Sequence, residues 1–147
     1  KLYENITMIQ QLNEFTEGTK NAAIFKTTAP YANPYQGAAP RWLFVCSAGL
    51  LRSPTGAATA IKHGINARAA GSNPHYALIP LSANLINWAQ KIVFVNDENY
   101  QQALKLFEGH GDLHYQLTTK AHVLNIPDVF EYGETQLVNE FERELFS

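Results

Sequence analysis

The only cysteine among the 147 residues lies in FVCSAGLLRSPTGA, Phe44 to Ala57. Cys46 is followed by Ser47, Ala48, Gly49, Leu50 and Leu51, then by Arg52 and the pair Ser53-Pro54. Such a sequence can bind an oxyanion. A tight turn between a strand ending at Cys46 and a helix opening at Arg52-Ser53 directs successive backbone N–H groups inward, as an anion nest. The helix start adds free N–H groups and the positive end of its dipole. Ser47, Ala48 and Gly49 are small enough for the backbone to come close to a bound anion. Arg52 can fork onto two phosphate oxygens from the rim. A thiol at the floor of that field is favoured as thiolate, a nucleophile held against the phosphorus of a phosphate monoester.

The surrounding elements are read from apolar patterning. Trp42–Val45 is a short continuous apolar run, as in a strand buried on both faces. Ser53 and Pro54 suit the cap and first position of a helix running to about Lys62. Asn66–Ala70 reads as a weak second strand, Ile79–Ala89 as a helix, Ile92–Val95 as a third strand and Glu98–Phe107 as a helix. His122–Ile126 reads as a fourth strand ending in Pro127-Asp128, and Glu134–Leu145 as a closing amphipathic helix. Short apolar strands alternating with helices call for an α/β fold with helices on both faces of a parallel sheet and right-handed crossovers. Ligands bind at the carboxyl ends of such strands, where Cys46 and Asp128 both fall. Ahead of this unit, Tyr3, Ile6, Ile9, Leu12 and Phe15 recur at helical spacing over residues 3–17. Residues 27–40, with Pro30, Pro34 and Pro40, form a proline-rich connector. Residues 1–40 are thus a helical extension with its connector, and residues 41–147 the main domain.

Composition narrows the function classes. The chain has the size of one domain with a sizeable core. A net charge of −2 without blocks of like charge gives no footprint for nucleic acid or an acidic membrane. No apolar run has the length of a membrane span. One cysteine makes no internal disulfide, which fits a reducing compartment and a cytoplasmic protein. It also excludes a multi-cysteine zinc site and a resolving cysteine within the chain.

The loop Cys46-x5-Arg52-Ser53-Pro54 resembles the signature of the low-molecular-weight protein tyrosine phosphatases. Ala69-Ala70-Gly71-Ser72 is similar to that family's Ser-Ala-Gly-Thr segment, AQKIVFVNDENY (Ala89–Tyr100) to its A-D-x-I-x-x-M-D-x-x-N stretch, and Ile126-Pro127-Asp128 with Phe130 and Tyr132 to its general-acid loop. The resemblance spans residues 41–147; residues 1–40 match nothing in the family. It implies a four-stranded parallel sheet in the order 2-1-3-4 and hydrolysis of phosphate monoesters, above all protein phosphotyrosine, without metal or other cofactor. It further implies Cys46 as the nucleophile that carries a phosphocysteine, and Arg52 with the amides of Ser47, Ala48, Gly49, Leu50 and Leu51 as the phosphate cradle. Ser53 would hydrogen-bond the sulfur, and Asp128 would serve as general acid and then base. Leu50, Phe130 and Tyr132 would be walls for an aromatic leaving group. The expected partner is a phosphorylated protein or a small aryl phosphate, and the N-terminal extension offers a contact for a homo-oligomer.

Three departures stand out. The family's loop asparagine is Gly49 here, and the serine it braces against is Ala69. The family's frequent second loop cysteine is Leu51, so a protective disulfide is absent. Val129 replaces the common proline after the aspartate.

Two other readings stay open. Cys46-Ser-Ala-Gly49 also resembles the cysteine loop of a phosphorylated domain of bacterial sugar phosphotransferase systems, which passes phosphate on without hydrolysis and needs neither Arg52 nor Asp128. The altered loop also fits a phosphotyrosine-binding pseudoenzyme. Arsenate reduction would require further cysteines. His110 and His114 flank Gly111-Asp112, which reads as a loop rather than a metal site, and His75-Tyr76 is placed in a surface loop after the second strand.

Overall fold

A computed structural model describes residues 38–147, so the expected helix at 3–17 and nearly all of the connector lie outside the described residues. Four strands form one parallel sheet: β1 (Arg41–Cys46), β2 (Asn66–Gly71), β3 (Lys91–Phe94) and β4 (Ala121–Val123). Their spatial order is β2-β1-β3-β4, as expected. The helices are α1 (Arg52–Lys62), α2 (Ala83–Trp88), α3 (Asp97–Leu106), α4 (Gly111–Lys120) and α5 (Thr135–Phe146).

The alternation of side chains along β1 divides the core in two. Phe44 and Cys46 face a layer built with Ala57 and Ala60 of α1 and Leu137 and Phe141 of α5. Leu43 and Val45 face the other layer, with Leu85 and Ile86 of α2, Ala103 of α3 and Leu117 of α4. Register pairs Phe44 with Ala69 on one side and with Val93 on the other, so small β2 residues flank the large ring. Cys46 is thereby held at the sheet's carboxyl edge, opposite Gly71.

Several sequence expectations are corrected. Residues 110–114 are not a loop: Gly111 and Asp112 open α4, where Asp112 suits the positive end of the helix dipole. Leu117 is the helix's fully buried residue, which leaves little periodic signal to read. The helix expected over Ile79–Ala89 is confined to α2, because Ile79–Leu81 runs extended beside β2. The Gly71 N–H donates to Ile79 O at 2.9 Å and the Leu81 N–H to Gly71 O at 2.9 Å. Ser82, after Pro80, supplies the real cap by accepting from the Leu85 N–H at 3.3 Å. Ser53 does not cap α1, whose cap position is Leu51 with no side-chain bond. Among the described residues no helix is long and apolar enough to cross a membrane.

Candidate active site

The turn between β1 and α1 wraps around the sulfur of Cys46. The Gly49 N–H donates to Sγ at 3.2 Å and the Ser53 N–H at 3.4 Å, while Ser53 Oγ lies 3.1 Å away. Two amides and a hydroxyl thus converge on one buried thiol. The Ser53 hydroxyl has one proton and two neighbours. Towards a thiolate it donates to sulfur; beside a protonated thiol it is free to turn to Ala70 O, 3.4 Å away. The hydroxyl is thus turned towards the sulfur and the end of β2, and Ser53 stands inside the first turn of α1 with Leu51 at the cap position.

Arg52, 3 % exposed, closes the loop. Its Nη1 donates to Ile126 O at 2.9 Å, and its Nε lies 3.5 Å from Asp128 Oδ1. The two segments that sequence reading singled out, 74 positions apart in the Arg52–Ile126 bond, therefore meet at the guanidinium. Asp128 is exposed at the rim, with its side chain about half accessible (52 %), so the ion pair is chiefly an orienting contact. The segment carrying Asp128 is anchored at both ends. The Ile126 N–H donates to Val95 O at 2.8 Å. The Gly133 N–H donates to Thr55 Oγ1 at 2.9 Å, and that same hydroxyl donates to Leu51 O at 2.8 Å. Thr55 therefore joins Leu51, at the end of the turn after Cys46, to Gly133, at the far end of the segment carrying Asp128. Sequence reading missed it because a threonine inside a helix carries no distinctive signal.

The proposed walls separate. Leu50, 2 % exposed, packs with Ala48, Leu51 and Tyr132 and offers little surface of its own. Leu51 and Tyr132 are half-buried and provide the accessible apolar flank. Burial pushes the Tyr132 phenol above its usual range, so this flank is uncharged. Phe130 packs instead against the core layer of Phe44 and Phe141. His75 and Tyr76 are exposed, in a segment whose Leu78 N–H donates to Ala48 O at 3.3 Å.

The missing asparagine–serine brace has a structural substitute. Gly49 adopts φ +72°, and a Cβ on it would lie 2.9 Å from Ala70 C and from Gly71 N. A Cβ on Gly71 would in turn meet Ser47 O at 2.7 Å and Ala48 C at 2.8 Å. Loop and strand end thus touch backbone to backbone, with no room for a side chain between them. Hydrogen bonds fasten this contact. The Ser72 N–H donates to Cys46 O at 2.8 Å and the Asn73 N–H to Ser47 O at 2.9 Å. Behind them, the fully buried Asn99 donates from Nδ2 to Ser47 Oγ at 3.0 Å and to Ser72 Oγ at 3.3 Å. Among the described residues no three His, Cys, Asp or Glu side chains are grouped to hold a metal ion.

No protein-family model and no curated protein matches the sequence. Solved structures of YwlE do. A mutant of YwlE arginine phosphatase with a phosphorylated active-site serine shares 20% identity at a TM-score of 0.50, over 70% of this chain and 89% of that one. A YwlE mutant from Bacillus subtilis shares 21% identity at TM-score 0.49, over 71% of this chain and 93% of its own. YwlE arginine phosphatase from Geobacillus stearothermophilus shares 17% identity at TM-score 0.48, over 71% and 84%. Together with the strand order β2-β1-β3-β4, the first of these likenesses shows that the chain has the fold of the low-molecular-weight phosphatases.

Proposed function

We propose that the protein hydrolyses phosphate monoesters through a phosphocysteine on Cys46, without metal, and that its substrate is phosphotyrosine in a polypeptide. The observation that carries the reading is the convergence on Sγ of the Gly49 and Ser53 amides, with Arg52 and Asp128 3.5 Å apart beside them. In the first step Sγ attacks phosphorus, the bond to the leaving oxygen breaks, and Asp128 gives that oxygen its proton. In the second, water attacks phosphorus, the S–P bond breaks, and Asp128 takes a proton from the water. Inorganic phosphate and the thiolate are the products. Arg52 and the loop amides stabilise charge on the equatorial oxygens during both steps. Ser53 supports the sulfur as it leaves.

The uncharged flank of Leu51 and Tyr132 supports an aryl leaving group. A second reading comes from the shared fold: YwlE is described as an arginine phosphatase, and the same nucleophile and acid could cleave the P–N bond of phosphoarginine. Turnover of an aryl phosphate without added metal, by wild type, Cys46→Ser and Asp128→Asn, tests the proposal. Wild-type turnover that vanishes with Cys46→Ser and drops sharply with Asp128→Asn is expected. Tight phosphate or vanadate binding without wild-type turnover would replace hydrolysis with phosphate transfer or phosphotyrosine binding. Paired phosphotyrosine and phosphoarginine peptides then decide the substrate, and preference for the second would overturn the tyrosine assignment.

A further inference from the structure

We infer that Asn99 is a positioning residue for the nucleophile loop, acting through the hydroxyl of Ser47. The inference rests on the phosphatase reading and gives that site a brace on its α3 side. Asn99 sits in the first turn of α3 and is fully buried. Its Nδ2 has two protons and two acceptors, Ser47 Oγ at 3.0 Å and Ser72 Oγ at 3.3 Å. The Ser72 hydroxyl passes the chain on, donating to Gln102 Oε1 at 2.5 Å. The hydrogen bonds therefore run with one polarity from α3 through Ser72 and back to α3, with a branch to the residue next to the nucleophile.

Two observations show that this arrangement is more than ordinary packing. Asn99 Oδ1 is buried without a hydrogen-bond partner, so the amide is kept for what its nitrogen does, although its oxygen is left unsatisfied. The backbone that carries this side chain is itself fixed, because the Asn99 backbone N–H donates to Oδ1 of Asn96, the cap of α3, at 3.1 Å. A rigid helix start thus grips Ser47, while the Asn73 N–H holds the Ser47 carbonyl from the other side at 2.9 Å. With both ends of Ser47 fixed, the peptide that follows Cys46 has one orientation, and the loop amides beyond it inherit that orientation. Gly49 and Ala69 cannot make the side-chain brace that the sequence pattern would otherwise provide, so Asn99 and Ser47 perform it from the opposite flank.

Aligned amides matter more as charge develops than in the bound ground state, and small misplacements of such groups cost large factors in rate. Asn99→Ala and Ser47→Ala should each lower aryl phosphate kcat by roughly ten- to hundredfold, while affinity for inorganic phosphate, measured by calorimetry, falls by only a few-fold. Because one residue acts through the other, the double variant should be no slower than the worse single one. Gln101→Ala, on the outward face of the same helix, should match wild type. Ser47→Ala decides the matter if Asn99→Ala fails to fold. Additive losses in the double variant, or Ser47→Ala within twofold of wild type, would overturn the inference. If wild type shows no turnover, the hydrolase reading falls, and loss of phosphate affinity in the same variants still tests the brace: equal affinities would reject it.

Discussion

Gly49 offers a perturbation whose two costs can be separated. At φ +72°, an alanine pays about 1–2 kcal/mol for the left-handed backbone. Its Cβ would also lie 2.9 Å from backbone atoms of Ala70 and Gly71, which cannot swing aside. Overpacking of that kind costs about 1–3 kcal/mol. Gly49→Ala should therefore lose about 2–5 kcal/mol, or roughly 4–20 °C of Tm in a chain of this size. Asparagine tolerates the left-handed region, so Gly49→Asn should escape most of the first cost and keep the second, about 1–3 kcal/mol. Both variants should lose activity, because the amide that donates to Sγ at 3.2 Å belongs to the displaced residue. The scale for one preorganised donor is about a hundredfold in kcat. Thermal melts and aryl phosphate turnover of the three proteins measure both effects. A Gly49→Asn protein with wild-type stability and turnover would refute the reasoning: the Cβ would have room, and the glycine would be present for its dihedral angle alone.

Other outcomes follow from the same geometry. Thr55→Val keeps the shape but loses the hydroxyl that joins Leu51 O to the Gly133 N–H. Its rate loss should grow with the pKa of the leaving group, as for Asp128→Asn, and Thr55→Ser should restore the rate; an equal loss for all leaving groups would contradict the link. Phe141→Ala removes a fully buried ring set edge-on to Phe44 at 5.8 Å and should cost about 3–5 kcal/mol in denaturant melts. Burial raises the Tyr132 phenol above 10.0, so the folded state holds this proton after the unfolded chain has lost it. That contribution is intact below about pH 10 and is lost as pH rises through the folded value. Tyr132→Phe should flatten the alkaline fall in stability, and an unchanged slope would count against it.

The parts of the fold legible in sequence are those where one constraint dominates. The apolar run Trp42–Val45 and the segments around β3 and α5 appear where patterning puts them, to within a residue or two. Residue type and spacing single out Cys46, Arg52 and Asp128, and the structure brings Arg52 and Asp128 to 3.5 Å; the fourth strand, however, ends at Val123 and not at Ile126 as expected, so Asp128 lies beyond the strand end. The misses occurred where tertiary contacts decide the local structure. Ile79–Leu81 has helix-like spacing but is captured by the end of β2, and α4 buries too few side chains to show a stripe. Asn99 and Thr55 act through single hydrogen bonds to residues 52 and 78 positions away. No local pattern encodes such a partner. The loss of the asparagine brace could be read in Gly49 and Ala69, but its replacement required knowing that Gly49 and Gly71 touch.

The central claim is that Cys46 Sγ carries the phosphoryl group. Acid quench of wild type and Asp128→Asn during turnover of an aryl phosphate, followed by peptide mass spectrometry, tests it most directly. The account predicts one added phosphoryl group on the peptide containing Cys46. Burst release of phenol equal to the enzyme present should accompany it, and both signals should vanish in Cys46→Ala. Turnover that persists in Cys46→Ala, or a phosphoryl group found on another residue, would contradict the account.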